Sequence, residues 1–295
     1  MKILVLGSLN IDRVYRVHNF VRPKETIHAE SFSCTCGGKG FNQTIALARA
    51  GSDVSFAGVV GADGVNLSDT LVREGIDTTL LKHSANANGH TIIQVNDLGE
   101  NCIIVVPGAN AETSCEYISS VISHFSAGDW IVLQNEIENV DYAIDFAGKQ
   151  GLHIALNPSP FDERIPKYNL NAIDLLMINE VEGEALTGVN EPEKMLQTLR
   201  ERYKRMAVLL TLGEKGALFF DPFGKMYFEP SVPCIVKDTT AAGDTFTGYF
   251  LTEYIKSGDA VAALSIASLA SSITVSREGA AASIPYKEEV IRRRT

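Results

Sequence analysis

Short apolar runs, each too brief to be the core of a helix, set the strongest limit on how this chain folds. They are Ile3–Leu6, Val54–Val60, Trp130–Leu133, His153–Leu156, Leu175–Ile178 and Ala207–Leu210. Runs of this length without polar alternation read as strands buried on both faces. Helical patterns lie between them: Gln43–Ala50 stopped by Gly51, Asp141–Lys149 stopped by Gly151, and Glu182–Thr187 stopped by Gly188. Glycine just past a helix accepts the left-handed conformation that ends it. Strand and helix in alternation predict an α/β fold with a mainly parallel sheet covered on both faces. A chain of 295 residues is enough for one large domain of this kind or two medium ones.

Two regions break the rhythm. Asp12–Ser33 holds two extended runs around Arg22-Pro23-Lys24, and His90–Val106 reads as a hairpin turning at Asp97–Glu100. Ile92 and Ile93, then Ile103 and Ile104, place apolar side chains on both faces of these strands. A small sheet of that kind needs cover on both sides. The expectation is a core formed by residues 1–11, 34–89 and 107–295, carrying a β-sheet lid formed by 12–33 and 90–106. One lid face closes over the core and the other meets a second copy, giving a homodimer.

The formal net charge is −10, and the basic run is confined to Arg292–Arg294. A nucleic-acid partner is therefore not expected. A polyanionic ligand would have to be held by helix N-termini, backbone N–H groups and a metal ion. The apolar stretch Val261–Val275 is interrupted by Ser and Thr and falls short of the roughly 18–20 apolar residues of a membrane span. Met1–Gly7 reads as a first strand and not as a signal sequence. Five cysteines, an odd number, fit reduced thiols in a cytoplasmic protein. Cys34-x-Cys36 has the wrong spacing for a CxxC redox or zinc site. The chain has no GxxxxGK[ST], no GxGxxG after the first strand, no GxSxG and no HExxH, which disfavours P-loop, dinucleotide, esterase and zincin chemistry.

What the chain does have is Asp238-Thr239-Thr240-Ala241-Ala242-Gly243-Asp244, following a strand-like Cys234–Lys237 and opening a helical stretch at Phe246–Ile255. Small residues at 241–243 let a ligand approach the backbone, and the unpaired N–H groups of a helix start form an anion cradle. A carboxylate there is either a helix-terminus partner or a general base that takes a proton from an attacking hydroxyl. Three glycines surround Lys39 in Gly37-Gly38-Lys39-Gly40-Phe41-Asn42-Gln43, before a helix. Asn42 and Asn10 offer donors and acceptors, and Asp12 a strong acceptor, as a polyol demands. The competing reading is a glycine-rich turn with Asn42 as N-cap. Asn179 and Glu182, three apart after a strand, either hold a hydrated magnesium ion or simply open a helix. Thr211–Gly216 is either a phosphate or nucleotide wall or a hairpin turn.

These motifs, in this order, together with Gly7–Asp12, Pro107–Asn110, Asn157-Pro158 and Arg277–Ala280, resemble the ribokinase/PfkB-type carbohydrate kinase family over essentially the whole length. The resemblance implies a ribokinase-like three-layer α/β/α core with a small β-sheet lid. It also implies ATP-dependent phosphorylation of a sugar hydroxyl, with ribose the first sugar to test. Another sugar or a nucleoside is the alternative within the family, and a non-catalytic sugar or nucleotide sensor the alternative of another class. By resemblance, Asp244 is the base and Ala241, Ala242 and Gly243 form the anion hole. Asn10, Asp12, Gly38, Lys39, Gly40, Asn42 and Glu136 match the sugar site. Asn179, Thr211, Gly213, Gly216, Gly243 and Ser268 match the nucleotide site, and Glu182 is associated with Mg2+. Asp238, Thr240, Thr274, Arg277, Gly279 and Ser283 match the site of a monovalent cation, K+. Two departures stand out. Phe41 replaces a small residue, and Asn135 replaces an apolar one.

Overall fold

The computed structural model describes residues 1–294. In chain order, β1 (Ile3–Leu6) leads into two strands of a separate sheet, β2 (Asn10–Arg16) and β3 (Ser31–Gly37), and then helix α1 (Lys39–Ala50). Next come β4 (Val54–Ala57), β5 (Val59–Val60), α2 (Val65–Arg73), β6 (Lys82–His83), β7 (Gly89–Val95) and β8 (Asn101–Val106). The middle of the chain runs α3 (Cys115–Ile122), β9 (Trp130–Gln134), α4 (Val140–Gln150), β10 (His153–Asn157), β11 (Leu175–Asn179), α5 (Glu180–Thr187) and α6 (Pro192–Arg202). It closes with β12 (Ala207–Thr211), β13 (Ala217–Phe220), β14 (Met226–Glu229), α7 (Ala242–Ser257), α8 (Ala260–Val275) and α9 (Lys287–Arg294).

The main sheet has eight strands in the order β14-β13-β12-β11-β10-β9-β1-β4. From β4 to β12 the pairs are parallel, and the last two strands turn back antiparallel. Alternate side chains leave the sheet on opposite faces, and the cores divide accordingly. Ile3, Val5, Val132, Met177, Leu209 and Phe219 pack with α1, α7 and α8 on one face. Leu4, Leu6, Leu133, Leu156, Ile178 and Leu210 pack with α3, α4, α5 and α6 on the other. The result is the three-layer arrangement expected from the strand-and-helix alternation.

The second sheet has four strands in the order β3-β2-β7-β8, so both irregular regions join one sheet. Its strands reach inward past 12–33 and 90–106, to Asn10, Gly37 and Gly89. Much of its apolar surface has no cover: Phe32 is 56% exposed, Ile103 50% and Ile104 56%.

Several local expectations needed correction. The run Val54–Val60 is two strands broken at Gly58, where a side chain would crowd the carbonyl oxygen of Gly7 at 2.5 Å. Cys234–Lys237 is not a strand. It follows Pro233 and leaves Ile235 and Val236 exposed, and its backbone tie runs from the N–H of Lys237 to the carbonyl of Val275 at 2.8 Å. Helix α1 starts at Lys39, four residues before the expected Gln43, because Gly38 takes φ of +96° and serves as its N-cap. Asn42 is thus inside the helix and does not cap it. Phe41 is fully buried in the core, so its bulk does not enter a pocket. Helix α7 likewise begins at Ala242, which puts Asp244 in its first turn.

Candidate active site

In a parallel sheet the C-terminal strand ends share one rim. Register sets Gln134 beside Asn157, and Asn179 beside Thr211, along that rim. The start of α7 approaches it from the α1 side. Between them opens a cleft of about 210 Å³, lined by Lys39, Asn157, Asn179, Glu182, Thr211 and residues 241–244.

At the head of α7, Ala241 takes φ of +61°, a left-handed conformation that costs an alanine strain. This turn lets the N–H of Ala242 bond back to Thr239 at 3.2 Å. The N–H groups of Gly243 and Asp244 follow in the first turn, where no intrahelical acceptor is available. A side chain at Gly243 would meet nothing within 4 Å. The backbone there is open to a ligand.

Asp244 is 8% exposed, and both carboxylate oxygens are held by amides. Asn42 donates to one at 3.1 Å and Gln43 to the other at 3.0 Å. The helices bring these groups together through a close contact one turn on. A side chain at Gly248 would overlap Ala46, and 42/46 and 244/248 are both i, i+4 pairs on facing surfaces. The carbonyl oxygen of Asn42 is buried with no hydrogen-bond partner. Such an atom calls for a donor.

Asn10 and Asp12 extend from β2 on one face of the lid sheet. Asn10 accepts from Asn110 at 2.8 Å, and Asp12 accepts from Thr91 at 2.7 Å. Burial, with Glu136 and Asp244 nearby, pushes the carboxyl of Asp12 up to about 6 although Thr91 favours its ionised form. A side chain at Gly37 would overlap the Asp12 carboxylate, and one at Gly40 would press on the Ser8 N–H at 2.5 Å. Both glycines are there for close approach. Glu136 accepts from the Ser8 hydroxyl and from the N–H of Lys39 at 3.0 Å. Burial works against the charge of Lys39, yet Asp244, Glu136 and Glu182 together raise its pKa above the ordinary ammonium value.

On the other side of the cleft, Asn179 and Glu182 form a reciprocal capping box at the start of α5. The Asn179 side chain accepts from the Glu182 N–H at 2.9 Å, and the Glu182 carboxylate accepts from the Asn179 N–H at 3.0 Å. They open a helix and line the cleft at once. Thr211–Gly216 is the β12–β13 connection. Gly216 has φ of +115° where Glu229 and Pro230 crowd it, whereas Gly213 has open space around it. Ser268 lies away from the cleft, its hydroxyl donating to the Pro230 carbonyl at 3.0 Å. Asn135 also turns away: it donates to Pro160 and Asp162 and accepts from Tyr168, clasping the 158–168 loop.

Next to the head of α7, Asp238 accepts from the N–H of Thr240 at 2.9 Å and of Gly279 at 3.0 Å, tying two loops together. Burial opposes its charge, but the bonds from Thr240 and Gly279 hold its pKa below the ordinary carboxylate value. Thr274 shares a hydrogen bond with Thr245 at 2.9 Å, and the Ser283 hydroxyl bonds back to Ala280. The Arg277 side chain is drawn off to Glu289.

Residues 1–287 match the pfkB family carbohydrate kinase pattern. The chain belongs to that family. A ribokinase of Staphylococcus aureus is 36% identical over 301 residues, covering 98% of each chain. A deoxyribokinase of Salmonella typhimurium is 32% identical over 302 residues, covering 98% of this chain and 97% of the relative. The solved structure of Arabidopsis thaliana ribokinase complexed with ribose and ATP superposes with a TM-score of 0.85 at 28% identity, covering 98% of this chain and 97% of that one. The pfkB-type architecture is thus the ribokinase-like fold that the sequence motifs implied. Gln43 and Gln134 are the site residues that sequence reading passed over. Their signal was faint, since Gln43 only ends a glycine motif and Gln134 only follows an apolar run.

Proposed function

We propose that this carbohydrate kinase transfers the γ-phosphoryl group of ATP to a sugar hydroxyl, with D-ribose, yielding ribose 5-phosphate, as its first substrate. The observation that carries this reading is the placement of Asp244. It is a buried carboxylate held by two amides, in the first turn of a helix whose free N–H groups line an open cleft. Asn10, Asp12, Asn42 and Glu136, with the backbone at Gly38–Gly40, bind and orient the sugar. Asp244 accepts the proton from the attacking hydroxyl. The N–H groups at 243 and 244, with Lys39, offset the charge that grows on the transferring group. Asn179, Thr211 and Gly213 border the nucleotide. Gly216 and Ser268 support that wall from behind.

Glu182, a buried carboxylate in the cleft near Lys39, fits a hard divalent cation such as Mg2+, which would supply neutralisation of phosphate charge. The carbonyls of the 238–240 and 277–283 loops fit a monovalent cation such as K+. The lid comprises residues 12–33 and 90–106. Its uncovered Phe32, Ile103 and Ile104 favour a homodimer. Sedimentation showing a 32.0 kDa species at every concentration would remove the dimer. The five free cysteines suit a reducing cytoplasm. Among the described residues no helix is long and apolar enough to cross a membrane.

The test is ADP release with ATP, Mg2+ and K+ against ribose, 2-deoxyribose, other sugars and nucleosides. Asp244→Asn should lower ribose turnover by roughly 10²–10⁴. Near-wild-type turnover by that variant would remove the base role. Preference for 2-deoxyribose would move the substrate toward that of the Salmonella relative.

A further inference from the structure

Behind Asp244 runs a line of side-chain amides that the reaction described above does not use. Gln43 and Gln134 are both fully buried, and neither lines the cleft. The Gln134 amide nitrogen donates to the Gln43 carbonyl at 2.8 Å, and the Gln43 amide nitrogen donates to Asp244 at 3.0 Å. The far end of the line, the Gln134 carbonyl, has no hydrogen-bond partner and abuts Gly7, where any side chain would overlap it. Such an orphaned acceptor is costly in a protein interior, so the arrangement needs a reason.

An amide group can be turned end for end, and its hydrogen bonds decide which end faces where. Turning Gln43 would aim its carbonyl at the carboxylate and its NH2 at the NH2 of Gln134. Turning both glutamines would satisfy the contact between them and still leave a carbonyl against Asp244. Only the arrangement observed both gives Asp244 two donors, from Asn42 and Gln43, and satisfies the contact between the two glutamines. In that orientation the orphan falls on Gln134, the member most remote from the site.

The geometry points to Gln43 and Gln134 as positioning residues. Together they hold Asp244 as an oriented carboxylate, Gln43 directly and Gln134 by fixing which end of Gln43 faces it. This inference rests on Asp244 being the proton acceptor. The line has a serial logic. Gln43 is the link that touches the carboxylate, and Gln134 acts only through Gln43.

The experiment compares Gln43→Met, Gln134→Leu and the double variant with the wild type, in steady-state kinetics of sugar and ATP from pH 5 to 9. Thermal melts identify any variant that fails to fold. Loss of one donor to a buried carboxylate disfavours its ionised form. Gln43→Met should therefore lower kcat by about 10–100-fold and move the acid limb of the kcat profile to higher pH by about one unit. The sugar KM should stay within about twofold, because neither glutamine reaches the cleft. Gln134→Leu should show the same changes at smaller size. The double variant should be no worse than Gln43→Met alone, as serial action requires. Gln134→Glu keeps the size and removes the donor, so it should mimic Gln43→Met if it folds. Folded Gln43→Met with wild-type kcat and an unmoved acid limb would overturn the inference and leave the kinase reading intact. So would a raised sugar KM with unchanged kcat, or independent losses that multiply in the double variant. Absence of sugar turnover in the wild type, in contrast, would remove the kinase reading and this inference with it.

Discussion

On the proposed sugar-binding role, Asp12 pits stability against sugar binding, and the conflict can be measured. Its carboxyl lies buried beside two other carboxylates, and burial pushes its pKa up to about 6 from the ordinary 3.8. A raised carboxyl pKa means that the folded protein binds a proton more tightly than the unfolded chain does. Stability contributed by that proton is full below about pH 4 and is lost as the pH rises through about 6. The gap is about two pH units, and at about 1.4 kcal/mol per unit the ionised group costs on the order of 3 kcal/mol at pH 7 and above. Asp12→Asn removes the charge, keeps the shape and still accepts the hydrogen bond from Thr91. The variant should therefore unfold at higher denaturant than the wild type at pH 8. The advantage should approach ~3 kcal/mol there and vanish by about pH 4. Chemical denaturation of both proteins at half-unit pH steps measures it, and the difference between them cancels the other titrating groups. The same change removes a charged acceptor for sugar hydroxyls, worth ~1.5–3 kcal/mol, so the sugar KM should rise by roughly 10–100-fold. A stability difference that stays flat from pH 4 to 8 would refute the account of Asp12 as a strained anion.

Other expectations follow from single contacts. Gly37→Ala would drive a methyl group into the Asp12 carboxylate, so the sugar KM should rise while ATP KM stays constant in initial-rate assays. Asn42→Ala deletes both the donor to Asp244 and the unpaired carbonyl oxygen, and should lower kcat and raise sugar KM together. Arg49 is half-buried against Glu74, bonds the carbonyls of Ala281 and Ile284, and lies 4.4 Å from the Tyr286 ring. Arg49→Ala removes the guanidinium from the half-buried Glu74 carboxylate, which keeps the Tyr286 hydroxyl at 3.1 Å, and frees two backbone carbonyls; it should cost ~1–3 kcal/mol in equilibrium unfolding, whereas no measurable loss would contradict that packing.

The layers of the fold were legible because burial on both faces writes a continuous apolar run, and a glycine in the left-handed conformation marks the ends of α1, α4 and α5. Gly51, Gly151 and Gly188 all take that conformation. Helix starts were harder to place. The N-terminal turns of α1 and α7 carry Gly40 and Gly243, poor helix formers, the first needed for close approach to the Ser8 backbone and the second leaving the backbone open to the cleft. Cys234–Lys237 has strand-like side chains, but strand formation needs a partner edge, which local sequence does not encode. Asp244, Asn42 and Asp12 stood out as polar residues among glycines and apolar neighbours. Gln43 and Gln134 did not, because a buried amide acquires meaning only from the groups it faces. The sequence separation of 91 residues between them hides that pairing from any local pattern.

The contact between Gly248 and Ala46 acts as a gauge block for the whole site. One turn away from it, the same two helices set the gap between Asn42 and Asp244. That gap therefore depends on the thickness of a missing methyl group. A larger residue on one helix is tolerable only if the other side of the contact shrinks in step. Positions 46 and 248 should therefore change as a pair, and a library randomising both together should recover active combinations that neither single position permits.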